Sequence, residues 1–335
     1  MSLQATPESS ETSHSVSNDF GTRVRSHVAR TVVGQEEVVE RVLIALLTGG
    51  HLLLEGVPGI AKTLLVQSVA SAIDLHHGRI QFTIDLLPSD ILGSEILDPT
   101  ANEFRIHQGP IFTNLLLADE INRASPKVQS ALLEAMQERH VTIGEKSFTL
   151  PTPFLVIATQ NPVEQAGTFE LPEAQLDRFM LRHRLTYPTQ ADELEVLHRV
   201  IGLGLKKDGD GAVPMTSFDA IEKESPLHKA DLTAAMAAVQ KVHVSEVFLR
   251  HCVELVNLTR QSEDVELGGS PRASIALVQA SRARAWLHGR DYVVPEDLFV
   301  LAEDVLLHRM RLTYEALARG RTDQQVLQEL LTHLA

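Results

Sequence analysis

The octapeptide GVPGIAKT, from Gly56 to Thr63, sets glycines, a lysine and a hydroxyl at the spacing of a phosphate-binding loop. In such a loop the backbone of Gly56, Val57, Pro58, Gly59, Ile60 and Ala61 wraps a polyphosphate, with Leu64 following in the first helical turn. Lys62 would reach the β and γ phosphates, and the Thr63 hydroxyl would hold Mg²⁺. Ala61 stands where a second glycine is usual. Alanine tolerates the right-handed backbone expected where the loop enters its helix, so the change need not break the cradle. Two carboxylates follow in NLLLADE: Asp119 suits the water shell of Mg²⁺, and Glu120 suits a general base for an attacking water. Asn161, in FLVIATQNP, can orient that water by hydrogen bonding without titrating.

These residues need strands to carry them. The apolar runs HLLLEG (51–56), IQFTID (80–85), NLLLADE (114–120) and FLVIATQNP (154–162) each end in a polar or glycine-containing loop. Buried parallel strands with functional groups at their C-terminal ends have this appearance, which predicts an α/β core over 20–201. Segments 94–110 and 140–151 read as β-hairpins inserted into that core. A Gly-rich, mixed-charge stretch opens a linker over 202–230. A small all-α domain is expected over 231–335. Leu232, Ala235, Met236, Val239 and Val242 share one helical face there, as do Leu298, Leu301, Ala302 and Val305. The Ser/Thr/Glu-rich residues 1–19 read as a disordered tail.

Composition narrows the function. Of 335 residues 44% are apolar, enough for a sizeable core, and the net charge of −14 counts against nucleic acid as a partner. The single cysteine, Cys252, excludes an intrachain disulfide and suits a reducing cytosol, so a cytoplasmic location is expected. No apolar run has the length of a membrane span, and the polar N-terminus is unlike a signal peptide. The histidines show no metal-ligand spacing. The basic run SRARAWLHGR (281–290) reads as helix-surface arginines over a buried Trp286.

Taken in order, VVGQEEVVERVLIAL, GVPGIAKT, ADEINRASPKVQSALLEAMQE, ATQNPVEQAGTFELPEAQLDRF, LGGSPRASIAL and GRDYVVPEDL resemble the AAA+ ATPases, and within them the MoxR family of the helix-two-insert clade. The resemblance implies a P-loop α/β core with inserted hairpins, a helical lid, and use of ATP and Mg²⁺. It places Val33 and Gly34 on the adenine side, Asp119 and Glu120 in the second nucleotide motif, and Asn161 as first sensor. Arg178 matches the finger that reaches a neighbouring subunit's γ-phosphate, and Arg272 the second sensor, serving its own or a neighbour's nucleotide. Locally, Ser270 can cap a helix with Pro271 at its first position, which puts Arg272 in the first turn. Arg123 either touches the adjoining subunit or ties its own loop down. Phe104, Arg105, Glu145 and Lys146 either face a central pore or lie on solvated turns.

The family's output implies a homo-oligomeric ring, expected to be a hexamer. That ring would remodel, activate or insert metal into client proteins, with a separate von Willebrand factor A domain partner. The alternatives are a magnesium-chelatase-type motor subunit and, disfavoured by charge, a nucleic-acid translocating motor. Nothing in the residues identifies the client.

Overall fold

The computed structural model describes residues 11–56, 61–98, 102–161, 167–208, 211–221 and 225–334. They form two compact units: His27–Ser225, and Pro226–Ala335 together with the N-terminal stretch up to Ser26. Helix α1 covers Glu11–Ala29 and α2 covers Glu36–Thr48. Glu36 and Glu37 sit in the first turn of α2, where they complement the helix dipole, and Gly49 ends it at φ +67°. Next come β1 (Leu52–Glu55), α3 (Lys62–Ala72), β2 (His77–Gln81), α4 (Pro88–Leu92), and the paired β3 (Gly93–Asp98) and β4 (Glu103–Gln108). Then follow β5 (Leu115–Asp119), α5 (Pro126–Glu138), the hairpin β6 (His140–Ile143) and β7 (Lys146–Thr149), and β8 (Leu155–Gln160). The first unit closes with α6 (Glu173–Leu176), β9 (Leu181–Arg184), α7 (Gln190–Ile201) and a hairpin of β10 (Leu205–Asp208) and β11 (Gly211–Pro214).

Five strands make a parallel sheet in the order β2-β5-β8-β1-β9. The three central strands bury continuous apolar runs, Leu52–Leu54, Leu115–Ala118 and Leu155–Ala158, as strands covered on both faces must. The edge strands differ. In β2 only Ile80 is buried, so the apolar run at 80–85 is not the strand: pairing runs from His77 to Gln81, and Phe82 donates a last bond to Asp119 O. The strand LRHR of β9 carries too little apolar character to read as one. At the inserted hairpins, Glu95 of β3 lies over the β6–β7 turn, where a Cβ on Gly144 (φ +61°) would fall 2.2 Å from its carboxylate.

The second unit is helical: α8 (Lys229–Val239), α9 (Glu246–Gln261), α10 (Pro271–Leu287), α11 (Pro295–Leu306), α12 (Tyr314–Ala318) and α13 (Asp323–Leu334). A short antiparallel pair, β12 (Val265–Leu267) with β13 (Arg311–Leu312), departs from the expected all-α content. Leu232, Ala235, Val239, Leu298, Leu301, Ala302 and Val305 are buried in its core. Phe20 of α1 packs on Trp286 of α10, ring centroids 5.9 Å apart.

The boundaries therefore differ from those expected. Helix begins at Glu11 inside the segment read as a tail, Phe20–Ser26 group with the helical unit, and a hairpin occupies 205–214 within the linker. Two arginines of SRARAWLHGR also depart from a surface role. Arg284 and Arg290 both donate to the fully buried Asp297, which also accepts from Val294 N–H. Burial pushes that carboxyl up, but the bonds from Arg290, Val294 and Arg284 prevail and hold it below its ordinary pKa. Among the described residues no helix is long and apolar enough to cross a membrane.

Candidate functional site

The sheet brings the chemistry-bearing residues to one edge. Because β1, β5 and β8 run parallel, their C-terminal ends deliver Gly56, Asp119-Glu120 and Asn161 side by side, the place where open α/β sheets bind ligands. Together with Lys62 and Thr63 of α3 they line a cavity of about 470 Å³. Val57, Pro58, Gly59 and Ile60 lie outside the described residues. On one side of that stretch, Gly56 N–H donates to Gln160 O at 3.2 Å. On the other, Lys62 Nζ donates to Gly56 O at 3.0 Å.

Ala61 corrects the expectation drawn from sequence. It is the N-cap of α3 at φ +54°, ψ +28°, in the left-handed region and not the right-handed one. The usual glycine meets that backbone without strain; a Cβ costs about 1–2 kcal/mol there.

The cavity carries both signs of charge, Lys62 together with Asp119 and Glu120. Burial draws the Lys62 ammonium below its ordinary pKa, partly offset by the negative charges of Asp119 and Glu120. The donor set offers a hydroxyl (Thr63) and a carboxylate (Asp119), both hard oxygens that suit Mg²⁺.

A second cavity, also about 470 Å³, adjoins the first and shares Ala61, Leu64 and Ser217 with it. Val32, Val33, Tyr187 and Leu197 give it apolar walls. Gly34 follows Val33 at φ +67°. A Cβ there would lie 2.5 Å from the Asp192 carboxyl, so both backbone and space require glycine. Asp192 is itself fixed by the capping box it forms with Thr189 at the start of α7.

Several residues of the site were not picked out from sequence. Thr159, fully buried, donates from Oγ to Asp119 Oδ1 at 2.6 Å and accepts Glu120 N–H at 2.8 Å. Gln81 donates to Glu120 Oε2 at 2.9 Å, and Arg79 donates to Asp119 Oδ2. Ser217 and Phe218 border the first cavity on a turn in which Asp219 accepts from Thr216 N–H at 2.8 Å and pairs with Lys206. Thr159 stands two residues before Asn161, a spacing that marks one strand face. Gln81 and Arg79 carry no motif; only the pairing of β2 with β5 reveals them.

The remaining expected residues are dispersed. Arg123 closes a salt bridge from Nε to Glu120 Oε2 at 2.9 Å, favouring the reading in which it ties down its own loop. Arg178 follows α6, half-buried, and is not among the described residues lining either cavity. Arg272 belongs to the helical unit, exposed in the first turn of α10, whose cap Ser270 accepts its N–H at 3.1 Å. Phe104 is exposed, Arg105 pairs with Asp98 at 3.0 Å, and Glu145 and Lys146 are exposed on the second hairpin.

Comparison with known proteins agrees with this geometry. Residues 51–181 match the model of the ATPase family associated with various cellular activities (AAA), and 257–330 match the AAA lid domain. Chaperone MoxR1 of Mycobacterium tuberculosis is 43% identical over 317 residues, 92% of this chain and 80% of that protein. The uncharacterized protein YeaC of Bacillus subtilis is 44% identical over 306 residues, 91% of each chain. A crystal structure from Cytophaga hutchinsonii superposes with a TM-score of 0.86 at 42% identity, covering 96% of both chains.

Proposed function

The chain belongs to the MoxR family of AAA+ ATPases, and from that premise we propose that ATP hydrolysis in the cleft at the sheet edge drives chaperone-like work on client proteins. The observation that carries the cleft assignment is the convergence of Gly56, Lys62, Thr63, Asp119, Glu120 and Asn161 on one cavity from the ends of three adjacent parallel strands and one helix. In this reading the phosphates lie along Gly56 to Leu64, and the base sits beside Val33 and Gly34. Lys62 faces the β and γ phosphates, while Thr63 and Asp119 hold Mg²⁺, which when bound neutralises charge developing on the phosphates. Glu120 takes the proton of the attacking water as the water oxygen bonds the γ-phosphorus and the bond from that phosphorus to the ADP leaving group breaks, and Asn161 orients that water.

Arg178 acts across a subunit boundary and Arg272 from the lid, so activity requires a ring, proposed as a hexamer. The exposed hairpin residues Phe104, Arg105, Glu145 and Lys146 provide contacts for a client, with a von Willebrand factor A domain partner on another polypeptide and a cytoplasmic setting. The name of the M. tuberculosis relative supports a chaperone output.

Glu120→Gln tests the core of this reading. The substitution keeps a hydrogen-bonding side chain but removes the base. ATP affinity should stay within a few-fold while turnover falls on the order of 10²-fold or more. Near-normal turnover would dismiss Glu120 as base. With ATP, the same variant holds clients on the protein for identification.

A further inference from the structure

The carboxylate expected to face the metal already has a cation on it. Arg79, on β2, donates to Asp119 Oδ2 from Nε at 3.2 Å and from Nη2 at 2.6 Å. The other oxygen, Oδ1, accepts from the buried Thr159 hydroxyl. Asp119 therefore has one oxygen tied to a rigid strand and one tied to a side chain that is 48% exposed. The exposed partner is the one that can leave, because a half-exposed ion pair contributes little and guanidinium competes poorly with a divalent ion for a hard oxygen.

The same guanidinium also reaches further. Its Nη2 donates to Gln81 Oε1 at 2.7 Å, and Gln81 Nε2 donates to Glu120 Oε2 at 2.9 Å. A chain of three hydrogen-bonded steps therefore runs from Asp119 through Arg79 and Gln81 to Glu120. Glu120 Oε2 also pairs with Arg123 Nε at 2.9 Å, so Gln81 is one of two groups that hold it.

We propose that Arg79 is a metal-responsive residue: it holds one carboxylate oxygen of Asp119 in the resting protein and gives that oxygen up when the ion binds. The proposal rests on the reading of Asp119 as the metal-side carboxylate, and the experiment separates the two.

Mn²⁺ is titrated into the full chain in the presence of ADP, and free Mn²⁺ is counted by its electron paramagnetic resonance. Arg79→Gln removes the competitor, so Mn²⁺ should bind about three- to tenfold more tightly. A gain in affinity is not what a damaged fold produces, and an unchanged thermal melt checks that point. Gln81→Ala, beyond Arg79 in the chain, should leave Mn²⁺ affinity within about twofold. Arg123→Gln removes an equal charge from Glu120 instead and should do the same. Unchanged or weaker Mn²⁺ binding in Arg79→Gln overturns the proposal, as does equal tightening in Arg123→Gln, which would reduce the effect to net charge. Asp119→Asn decides the premise: wild-type Mn²⁺ affinity there removes the metal-site reading itself. Weakened binding there, with no gain in Arg79→Gln, removes only the role of Arg79.

Discussion

Ala61, the N-cap of α3, sits in a backbone region that L-residues avoid, one position before the lysine expected to meet the phosphates. The cost is local and its removal has a definite sign. At this φ a glycine is relieved of strain by about 1–2 kcal/mol and loses about 0.5–1 kcal/mol through the greater freedom of the unfolded chain. Ala61→Gly should therefore stabilise the nucleotide-free chain by about 0.5–1 kcal/mol, read as a shift in urea midpoint at constant slope. Destabilisation by the roughly 1 kcal/mol cost of glycine inside a right-handed helix would place Ala61 in the ordinary helical region after all. The residue types of the loop were legible in GVPGIAKT. The sign of φ was not, because side-chain identity limits backbone conformation without choosing it. Arg79 and Gln81 were illegible for another reason: they reach the site from a strand next to β5 in the sheet but not in the chain.

Elements need fixing to one another before such residues can be aimed, and His51 is one of the fixings. It sits just before β1, with Nδ1 accepting Val156 N–H of β8 at 3.0 Å and Nε2 donating to Met136 O of α5 at 3.2 Å. Only the neutral ring can do both. Burial pulls its pKa down to about 4, the Met136 bond resists, and the charge of Arg139 adds to the fall. The unfolded chain, with an ordinary histidine, binds the extra proton first, so this contribution is complete above pH 6.5 and is lost as pH falls toward 4. The loss is about 2 kcal/mol by pH 5 and about 3 kcal/mol below pH 4. An NMR titration of the His51 ring in the folded chain, beside urea unfolding at pH 7 and 5, checks this; a ring that titrates near 6.5 removes it. Strand content followed burial in the same way. The three central strands announced themselves as unbroken apolar runs, whereas β2 was expected a few residues late, on the apolar run 80–85, and β9 has no apolar run to mark it.

At the scale of the whole molecule, the division into an α/β unit and a helical unit was visible in the change of apolar periodicity after residue 231. The capture of Phe20–Ser26 by the helical unit was not, since it depends on Phe20 finding Trp286 far along the chain. The same limit applies between molecules. One chain places Lys62, Thr63, Asp119, Glu120 and Asn161 around the cleft but leaves Arg178 out of its lining among the described residues. A finger absent from its own chain's cleft must, if it acts, act on a neighbour's. Complementation between two inactive chains follows. Arg178→Ala keeps its base but gives its neighbour no finger, while Glu120→Gln lacks the base but still offers one. Wherever an Arg178→Ala cleft faces a Glu120→Gln neighbour, the site is complete. Random co-assembly at equal amounts should restore roughly a quarter of wild-type sites, against the 10³–10⁵-fold loss an arginine finger's removal brings. Steady-state phosphate release from the mixture measures this, with co-assembly proved by pull-down on a tag carried by one variant. Activity no higher than the sum of the separate variants, in rings proved to contain both, would return Arg178 to its own chain and leave the ring without its catalytic reason.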